Sequence, residues 1–347
     1  MNSTLSNNEK LYIISNLATM LNAGIPILEA IDSLLEDSKG NSKKILEQLK
    51  SDINQGNTIS SSLARSPKAF DTITISLIKA SEESGTLDQT LKDLTMSVKK
   101  DMEFSEKIKS ALAYPILVIV VFFGILLLML VYVIPRISAV FSRIKVTLPL
   151  PTKILIFSSN ILLKNYVLVI IVGIIALFLL VIFYKTQKKT LIRFFHSLPG
   201  LSRLAQEIDL TRFNRSMSLL LSSGISIIEA LQLSQNVVEK KDIQTVVSNC
   251  IHMVGEGKKL TDGYKSAKHV IPGIMIRITE AGEKSGSLEK STQEISEYFD
   301  NQVSNTLKTL TTLLEPALLV IIGIFVGGMM LAIIAPIYQM IGNINVR

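Results

Sequence analysis

Three long uncharged segments constrain the fold of this 347-residue chain more than any other feature. They span Tyr114–Ile134, Tyr166–Tyr184 and Pro316–Tyr338, and none of them contains Asp, Glu, Lys, Arg or His. About 20 apolar residues suffice for an α-helix to cross the roughly 30 Å hydrocarbon layer of a bilayer. A buried helix of a soluble protein rarely stays apolar on every side over this length. We therefore expect three transmembrane helices, and the mean hydropathy of +0.40 fits a membrane protein.

The chain also contains an internal repeat. The segment MLNAGIPILEAI at 20–31 aligns without gaps with LLSSGISIIEAL at 220–231, at an offset of 200 residues. After a one-residue insertion the offset becomes 201, and ASEESGTL at 80–87 aligns with AGEKSGSL at 281–288. The prolines of the membrane segments follow the same register, with Pro115 aligned to Pro316 and Pro135 to Pro336. This order of matches indicates that a unit of one domain and one membrane span was duplicated.

Both copies are predicted to be helical. Apolar residues recur at spacings of three and four, as in Leu11, Ile14, Leu17, Ala18 and Leu21, whereas alternating strand patterns are absent. We expect five or six short helices in each domain, the last of which runs into the membrane. The predicted fold class is therefore an all-α polytopic membrane protein with three transmembrane helices and two homologous helical-bundle domains.

Glycines mark the predicted helix ends. Gly24 and its equivalent Gly224, like Gly85 and its equivalent Gly286, follow apolar helical patterns at positions where a residue without Cβ can adopt positive φ. The next helices are expected to begin with Pro26 in the first copy and with a Ser226–Glu229 capping box in the second, and Thr86–Gln89 has the same spacing after Gly85.

The duplication predicts the membrane topology. Duplicated domains are expected to face one compartment, and two crossings between them satisfy this requirement. The N-terminus lacks the pattern of a cleaved signal peptide, so we expect it in the cytosol. Lysines and arginines that flank the first two spans support this orientation, although five positive charges between those spans oppose it. The expected order is a first cytosolic domain (1–113), span (114–134), extracytoplasmic basic loop (135–165), span (166–184), second cytosolic domain (185–315), span (316–338) and extracytoplasmic tail (339–347).

Charge and motif content argue against several functional classes. The net charge of +7 is concentrated in the 135–165 loop rather than on either domain, so direct nucleic-acid binding is not expected. Cys250 is the only cysteine, and the three histidines have no metal-ligand spacing. Phosphate-binding loops and the HExxH and GxSxG motifs are also absent. We therefore expect no enzyme activity, cofactor or metal site.

Four glutamates recur at matched positions in the two copies. Glu29 and Glu229 fall in a predicted first helical turn, where the helix dipole favours a negative charge by about 0.3–1 kcal/mol. Glu82 and Glu283 fall just before a helix end, where the dipole disfavours them. Capping or internal pairing is the expected role of Glu29 and Glu229, whereas Glu82 and Glu283 are the better candidates for a salt bridge or for a surface that binds a partner.

Two further features have open interpretations. Gly323 and Gly327 form a GxxxG motif in the third span, which allows close packing either against another copy or against a span of the same chain. The basic 135–165 loop can contact acidic subunits or lipid phosphates, or simply be solvated.

The repeated motifs resemble those of the type II secretion system protein F family. The resemblance rests on AGIPILEAI and SGISIIEAL, on SEESGTLDQTL and GEKSGSLEKST, and on the apolar spans that begin near a proline. Phe213 and Arg215 match the family pattern in the second copy, whereas Ile13 stands where the first copy usually has Phe.

The resemblance implies a platform in the cytoplasmic membrane of a prokaryote. Such a platform is expected to bind a cytosolic hexameric assembly ATPase, pilin or pseudopilin subunits, other membrane components of the machine and further copies of itself. The alternatives are a transporter or channel, and a membrane receptor with helical cytosolic domains. A transport pathway usually needs ionisable groups or broken helices at membrane depth, and the three spans contain no ionisable Asp, Glu, Lys, Arg or His.

Overall fold

A computed structural model describes residues 4–144, 150–164 and 199–344, and within these ranges all regular structure is helical. The first copy contains α1 (Asn7–Asn22), α2 (Ile27–Asp37), α3 (Gly40–Asn54), α4 (Ile59–Ala64), α5 (Thr72–Ser84) and α6 (Leu87–Leu128). A π-helix (Met129–Val133), α7 (Ile134–Ile144) and α8 (Leu150–Lys164) follow. The second copy contains α9 (Pro199–Ser222), α10 (Ile227–Gln235), α11 (Lys241–Gly255), α12 (Leu260–Ser266), α13 (Gly273–Ser285) and α14 (Leu288–Ile344). The all-helical prediction is confirmed for this part of the chain.

The helices of the two copies correspond one to one, from α1 and α9 to α6 and α14. The predicted helix ends are confirmed, because Gly24 and Gly224 have φ of 80° and 78°, and Gly85 and Gly286 have φ of 72° and 69°. A residue with a Cβ is disfavoured in this left-handed region, which explains why glycine stands at these turns in both copies.

The chain divides into two compact units. The first unit comprises Met1–Lys107 and Arg203–Asn305, and the second comprises Ile108–Ser202 and Thr306–Arg347. Both copies of the short-helix domain therefore belong to one unit and share an interface within it. The sequence predicted two domains but gave no indication of this interface.

The first unit is held together by apolar residues at matched positions of the two copies. Ala30 and Ala230, like Ile31 and Leu231, have no exposed side-chain surface. Burying a Leu or Ile side chain contributes about 1.5–3 kcal/mol, so each conserved pair of core positions stabilises both copies in the same way.

Local capping fixes where several helices begin. Ser6 and Glu9 form a capping box at the start of α1, in which Ser6 N donates to Glu9 Oε2 (2.8 Å) and Glu9 N donates to Ser6 Oγ (3.3 Å). At the start of α10, Glu229 N donates to Ser226 Oγ over 3.4 Å. Half of the predicted capping box is thus present at Ser226, since the return bond from Ser226 N to the Glu229 side chain is not formed. The helix α6 begins at Leu87, directly after Thr86.

The second unit contains two long apolar helical stretches. By length and composition, the stretches within Leu87–Val140 and Leu288–Ala335 are each able to cross a membrane. They contain all or most of the first and third predicted spans, and their apolar side chains are mostly exposed. The second predicted span, Tyr166–Tyr184, lies outside the described residues. The segment 135–165, expected as a loop, contains most of α7 and all of α8.

Candidate functional surfaces

Glu82 caps a helix other than its own. Its carboxylate accepts hydrogen bonds from Ile59 N over 2.5 Å and from Ser60 N over 3.0 Å, at the start of α4. Thr58 Oγ1 accepts a third hydrogen bond there from Ser61 N. The first backbone N–H groups of a helix have no partner inside the helix, so these side chains satisfy donors that would otherwise be orphaned.

Glu283 occupies the same position in the second copy. It accepts hydrogen bonds from Leu260 N over 2.6 Å and from Thr261 N over 3.4 Å, and the hydroxyl of Thr261 also donates to it. Both glutamates are half-buried. Their duplication therefore has a structural cause: each glutamate caps a helix other than its own, which the dipole of its own helix does not indicate.

Glu29 and Glu229 are placed differently. Both lie in the first turn of their helices, α2 and α10, as predicted, and both are exposed. Gly24 and Gly224 lie three residues before the two helices and are exposed as well. Each copy therefore presents an exposed glycine turn with an exposed acidic side chain at the start of the next helix.

A third pair of matched acids, Glu9 and Asp209, was not predicted from the sequence. Glu9 on α1 accepts a hydrogen bond from Ser42 Oγ (3.0 Å) in the first turn of α3. Asp209 on α9 accepts hydrogen bonds from Glu239 N (3.0 Å) and Lys240 N (2.7 Å), just before α11 begins. Burial raises the pKa of Asp209, although these N–H groups oppose the shift. Extending the repeat alignment upstream at its offset of 200 would have found this pair.

Arg215 links the two copies inside the first unit. From α9 its guanidinium donates to Asp101 Oδ1 on α6 (2.6 Å) and to Asp300 Oδ2 on α14 (3.3 Å). It also lies over the ring of Phe104, 5.3 Å from the ring centroid, and its side chain is only 11% exposed. A planar guanidinium suits this role because it can bond two carboxylates and stack on an aromatic ring together.

Two lysines of the first copy extend this interface. Lys107 Nζ lies 2.5 Å from Asp300 Oδ1, and Lys100 Nζ lies 3.7 Å from Glu297 Oε1. A polar cavity of about 290 Å³ adjoins the network, and the residues around it include Lys10, Arg212 and Arg215. Asp101 and Asp300 are not equivalent positions in the repeat alignment. The repeat therefore does not indicate that both carboxylates contact Arg215.

Two buried side chains of the second copy, Cys250 and Tyr264, ionise less readily than usual. Burial raises the pKa of the Cys250 thiol to about 12 and raises the pKa of Tyr264 as well. The thiolate is the reactive form of cysteine, so Cys250 is an inert core residue at neutral pH. Within 4–144, 150–164 and 199–344, no group of three or more His, Cys, Asp or Glu side chains is arranged to hold a metal ion.

Gly323 and Gly327 lie on an open face of α14. No heavy atom of the described residues comes within 4 Å of the Cβ that would be built on either glycine, and both are exposed. The described part of the second unit therefore does not use the GxxxG motif for its own packing.

Comparison with known proteins agrees with this architecture. A family model described as "Type II secretion system (T2SS), protein F" matches residues 13–135 and 213–336, once in each copy. The type IV pilus assembly protein PilC of Pseudomonas aeruginosa is 30% identical over 94% of this chain and 88% of its own length. The PilC protein of Thermus thermophilus is 28% identical over 95% and 82% of the two chains. The type II secretion system protein F of Vibrio cholerae is 27% identical over 97% and 83%.

Proposed function

Because this chain belongs to the type II secretion system protein F family, we propose that it is the inner-membrane platform of a type IV pilus or type II secretion machine. The observation that carries the proposal is the match of the family model to both copies of the repeat. The relatives named for pilus assembly and for secretion both align with almost the whole chain. The role is that of a scaffold rather than an enzyme.

In this proposal the platform couples a cytosolic hexameric ATPase to the assembly of pilin-like subunits. The first unit binds the ATPase, and the exposed apolar sides of the second unit contact the subunits within the bilayer. The helices α6, α9 and α14 each contain residues of both units, so the chain passes between the units only within helices.

The proposed topology has three spans and a cytosolic N-terminus. Both copies of the helical domain then lie in the cytosol, since two crossings separate them. The shared interface around Arg215 supports this arrangement, because residues of the two copies that bond each other must face the same compartment.

The duplicated loops form the proposed ATPase-facing surface. Glu29 and Glu229 contribute exposed carboxylates, next to the turns at Gly24 and Gly224. Glu82, Gly85, Glu283 and Gly286, at the ends of α5 and α13, belong to the same proposed surface, with the two glutamates acting mainly through the caps that they form. A basic patch on the ATPase would complement the exposed acids.

Co-purification of the full-length chain with an assembly ATPase from the same organism tests this proposal. We expect the ATPase to be retained by the wild type, and retention to fall at least tenfold when Glu29 and Glu229 are both changed to Lys. The matched control changes Glu47, an exposed acid on α3 that lies outside all of these turns, to Lys. Equal retention by all three proteins would contradict the proposed surface, and no retention by any of them would contradict the platform role.

A flux assay in liposomes addresses the transporter alternative. The purified chain is expected to leave ion and solute flux at the level of empty liposomes. Flux above that level would favour a transporter or channel over a platform. Binding of a small ligand by the first unit would favour a receptor.

A further inference from the structure

Prolines near the ends of two apolar helices each leave a backbone carbonyl without its helical donor. Pro135 follows the π-helix at Met129–Val133, and its equivalent Pro336 lies within α14. Proline has no N–H group, so the carbonyl one turn earlier loses its hydrogen bond. In lipid an unsatisfied carbonyl costs several kcal/mol, because no water is present to replace the missing donor.

The first orphaned carbonyl is that of Leu130. In the π-helical register the N–H of Ile134 donates to the carbonyl of Met129. The carbonyl of Leu130 would then take its hydrogen bond from residue 135, which is the proline. Ser159 on α8 supplies the missing donor, because its hydroxyl donates to Leu130 O over 2.6 Å.

The second orphaned carbonyl is that of Ala332, four residues before Pro336. Thr152, at the other end of α8, donates its hydroxyl to Ala332 O over 2.5 Å. Two hydroxyls on one short helix therefore satisfy the carbonyls that the two repeat-related prolines release. Both hydroxyl side chains are almost fully buried, with Thr152 at 3% and Ser159 at 1% exposure.

The opposite side of α8 is apolar and exposed. Leu150, Ile154, Phe157 and Ile161 recur at helical spacings of four and three, with exposed fractions of 75%, 63%, 67% and 42%. A helix in water turns its polar side outward. The helix α8 instead turns its hydroxyls inward and its apolar stripe outward, with the exposed polar residues Lys153, Asn160 and Lys164 confined to one border of the stripe. This inside-out polarity is the pattern of a helix that is surrounded by lipid.

We propose that α8 lies within the acyl-chain layer of the membrane and contacts lipid through the stripe Leu150, Ile154, Phe157 and Ile161. Lipid is favoured as the occupant because α6 and α14, in the same unit, also expose apolar side chains like those of the stripe. The segment 150–164 is then not an aqueous loop. Its two hydroxyls hydrogen-bond to the first and third spans at the carbonyls that lose their helical donors to proline.

The proposed depth follows from the position of Ala332. It lies 16 residues after Pro316, which corresponds to about 24 Å along a helix and is most of the roughly 30 Å hydrocarbon thickness. The helix α8 is therefore close to one face of the hydrocarbon layer. From there the exposed Lys153 and Lys164 side chains can reach the headgroups.

Single-tryptophan fluorescence tests this placement, since the chain contains no tryptophan. The full-length Phe157→Trp variant is reconstituted into vesicles whose lipids carry bromine at a shallow or a deep acyl position. Phe123→Trp, in the middle of the first span, and Tyr12→Trp, on α1, are the membrane and aqueous references. Ile161→Trp provides a second reporter on the stripe.

We expect the tryptophans at 157 and 161 to lose most of their fluorescence in bromolipid vesicles, with stronger quenching by the shallow bromines. Phe123→Trp should be quenched more strongly by the deep bromines, and Tyr12→Trp by neither. Quenching of both stripe reporters by aqueous iodide instead would overturn the proposal. Protection from both quenchers would overturn it as well, because a protein surface would then cover the stripe.

The contribution of the two hydroxyl contacts to stability is measured in the same vesicles. Ser159→Ala and Thr152→Val are expected to lower the thermal midpoint of unfolding, whereas Ser158→Ala, one residue away, should leave it unchanged. Equal midpoints for all variants would contradict the role of the two hydroxyls.

Discussion

Glu82 and Glu283 show how a single carboxylate can fix the junction between two helices. Replacing either with Ala leaves the N–H groups at the start of α4 or α12 without an acceptor. We expect each change to cost about 1–2 kcal/mol in the free energy of unfolding, in line with the loss of a helix cap. Thermal unfolding of the purified chain measures this loss.

The matched control for this prediction is Glu83→Ala, which removes an exposed carboxylate next to the cap. A surface change of this kind should stay within about 0.5 kcal/mol of the wild type. If Glu82→Ala and Glu83→Ala had the same effect, the cap would not contribute to stability.

Two buried threonines should respond in opposite directions to the same substitution. Thr279 Oγ1 has no hydrogen-bond partner among the described residues, and the equivalent position in the first copy is Ile78. Thr279→Val should therefore stabilise the chain by up to about 1 kcal/mol, because an unsatisfied buried hydroxyl is removed. Thr74 Oγ1 donates to Asp71 Oδ1 (2.9 Å), so Thr74→Val should destabilise by about 1 kcal/mol.

Chemical denaturation of both threonine variants in detergent provides the measurement. A loss of stability in Thr279→Val would show that its hydroxyl has a partner that compensates its burial. Shifts of the same sign in the two variants would contradict the argument from hydrogen bonding.

At the scale of elements, the packing of α6, α9 and α14 depends on Arg215. Arg215→Met leaves Asp101 without this partner and Asp300 with only Lys107. We expect a loss of about 1–3 kcal/mol, the range for hydrogen bonds to charged groups, and a smaller loss for Arg215→Lys. The exposed Arg277 on α13 provides the control variant Arg277→Met.

A double-mutant cycle with Asp101→Asn isolates the contact between the two copies. The coupling energy between Arg215 and Asp101 should reach about 1 kcal/mol and should shrink in high salt, because Asp101 is more than half exposed. Additive effects of the two substitutions would show that the contact does not hold the copies together.

Much of the helical architecture follows from the sequence, because its causes are local. The turns at Gly24 and Gly224 were predictable, since a positive φ favours glycine strongly enough to leave a signal in one sequence. Other features depend on residues that are distant in the chain. The Arg215 network joins positions more than 80 residues apart, and no local pattern encodes such a pairing.

The helix α8 was missed for a related reason. The positive charges of the 135–165 segment favoured a loop, and the roles of Thr152 and Ser159 depend on their contacts with Ala332 and Leu130, which no sequence pattern indicates. The two prolines were visible in the repeat alignment, but the donors that compensate them lie in the part of the chain that is not duplicated. The two prolines were therefore predictable from the repeat, whereas the hydroxyl donors that compensate them were not.

At the scale of the whole molecule, duplication gives the chain two equivalent sets of turns in one compact unit. The first unit contains both copies of every repeated glutamate, whereas the second contains the repeat-related prolines Pro135 and Pro336 and the unduplicated helix α8. A partner that binds the repeated turns therefore meets two related surfaces. Two related surfaces bind more tightly than one when both are engaged at once.

The GxxxG motif predicts how copies of the whole molecule associate. Gly323 and Gly327 lie on a face of α14 with no neighbour among the described residues, and we propose that a second copy packs there. Changing both glycines to Leu should shift the chain from oligomer to monomer, because the added side chains keep the helix backbones apart. Ala317→Leu adds similar bulk about a third of a turn away around the same helix and should leave the oligomer intact.

Energy transfer between labelled copies is measured in vesicles while lipid is added to dilute them. This measurement distinguishes packing of the motif against a second copy from packing against a span of the same chain. Self-association predicts that transfer in the Gly323→Leu, Gly327→Leu variant drops to the level expected for random proximity, while its thermal midpoint of unfolding stays close to that of the wild type. Packing of the motif against a span of the same chain predicts the reverse, since transfer would persist while the midpoint fell. The second result would contradict the proposal that copies of this chain meet through α14.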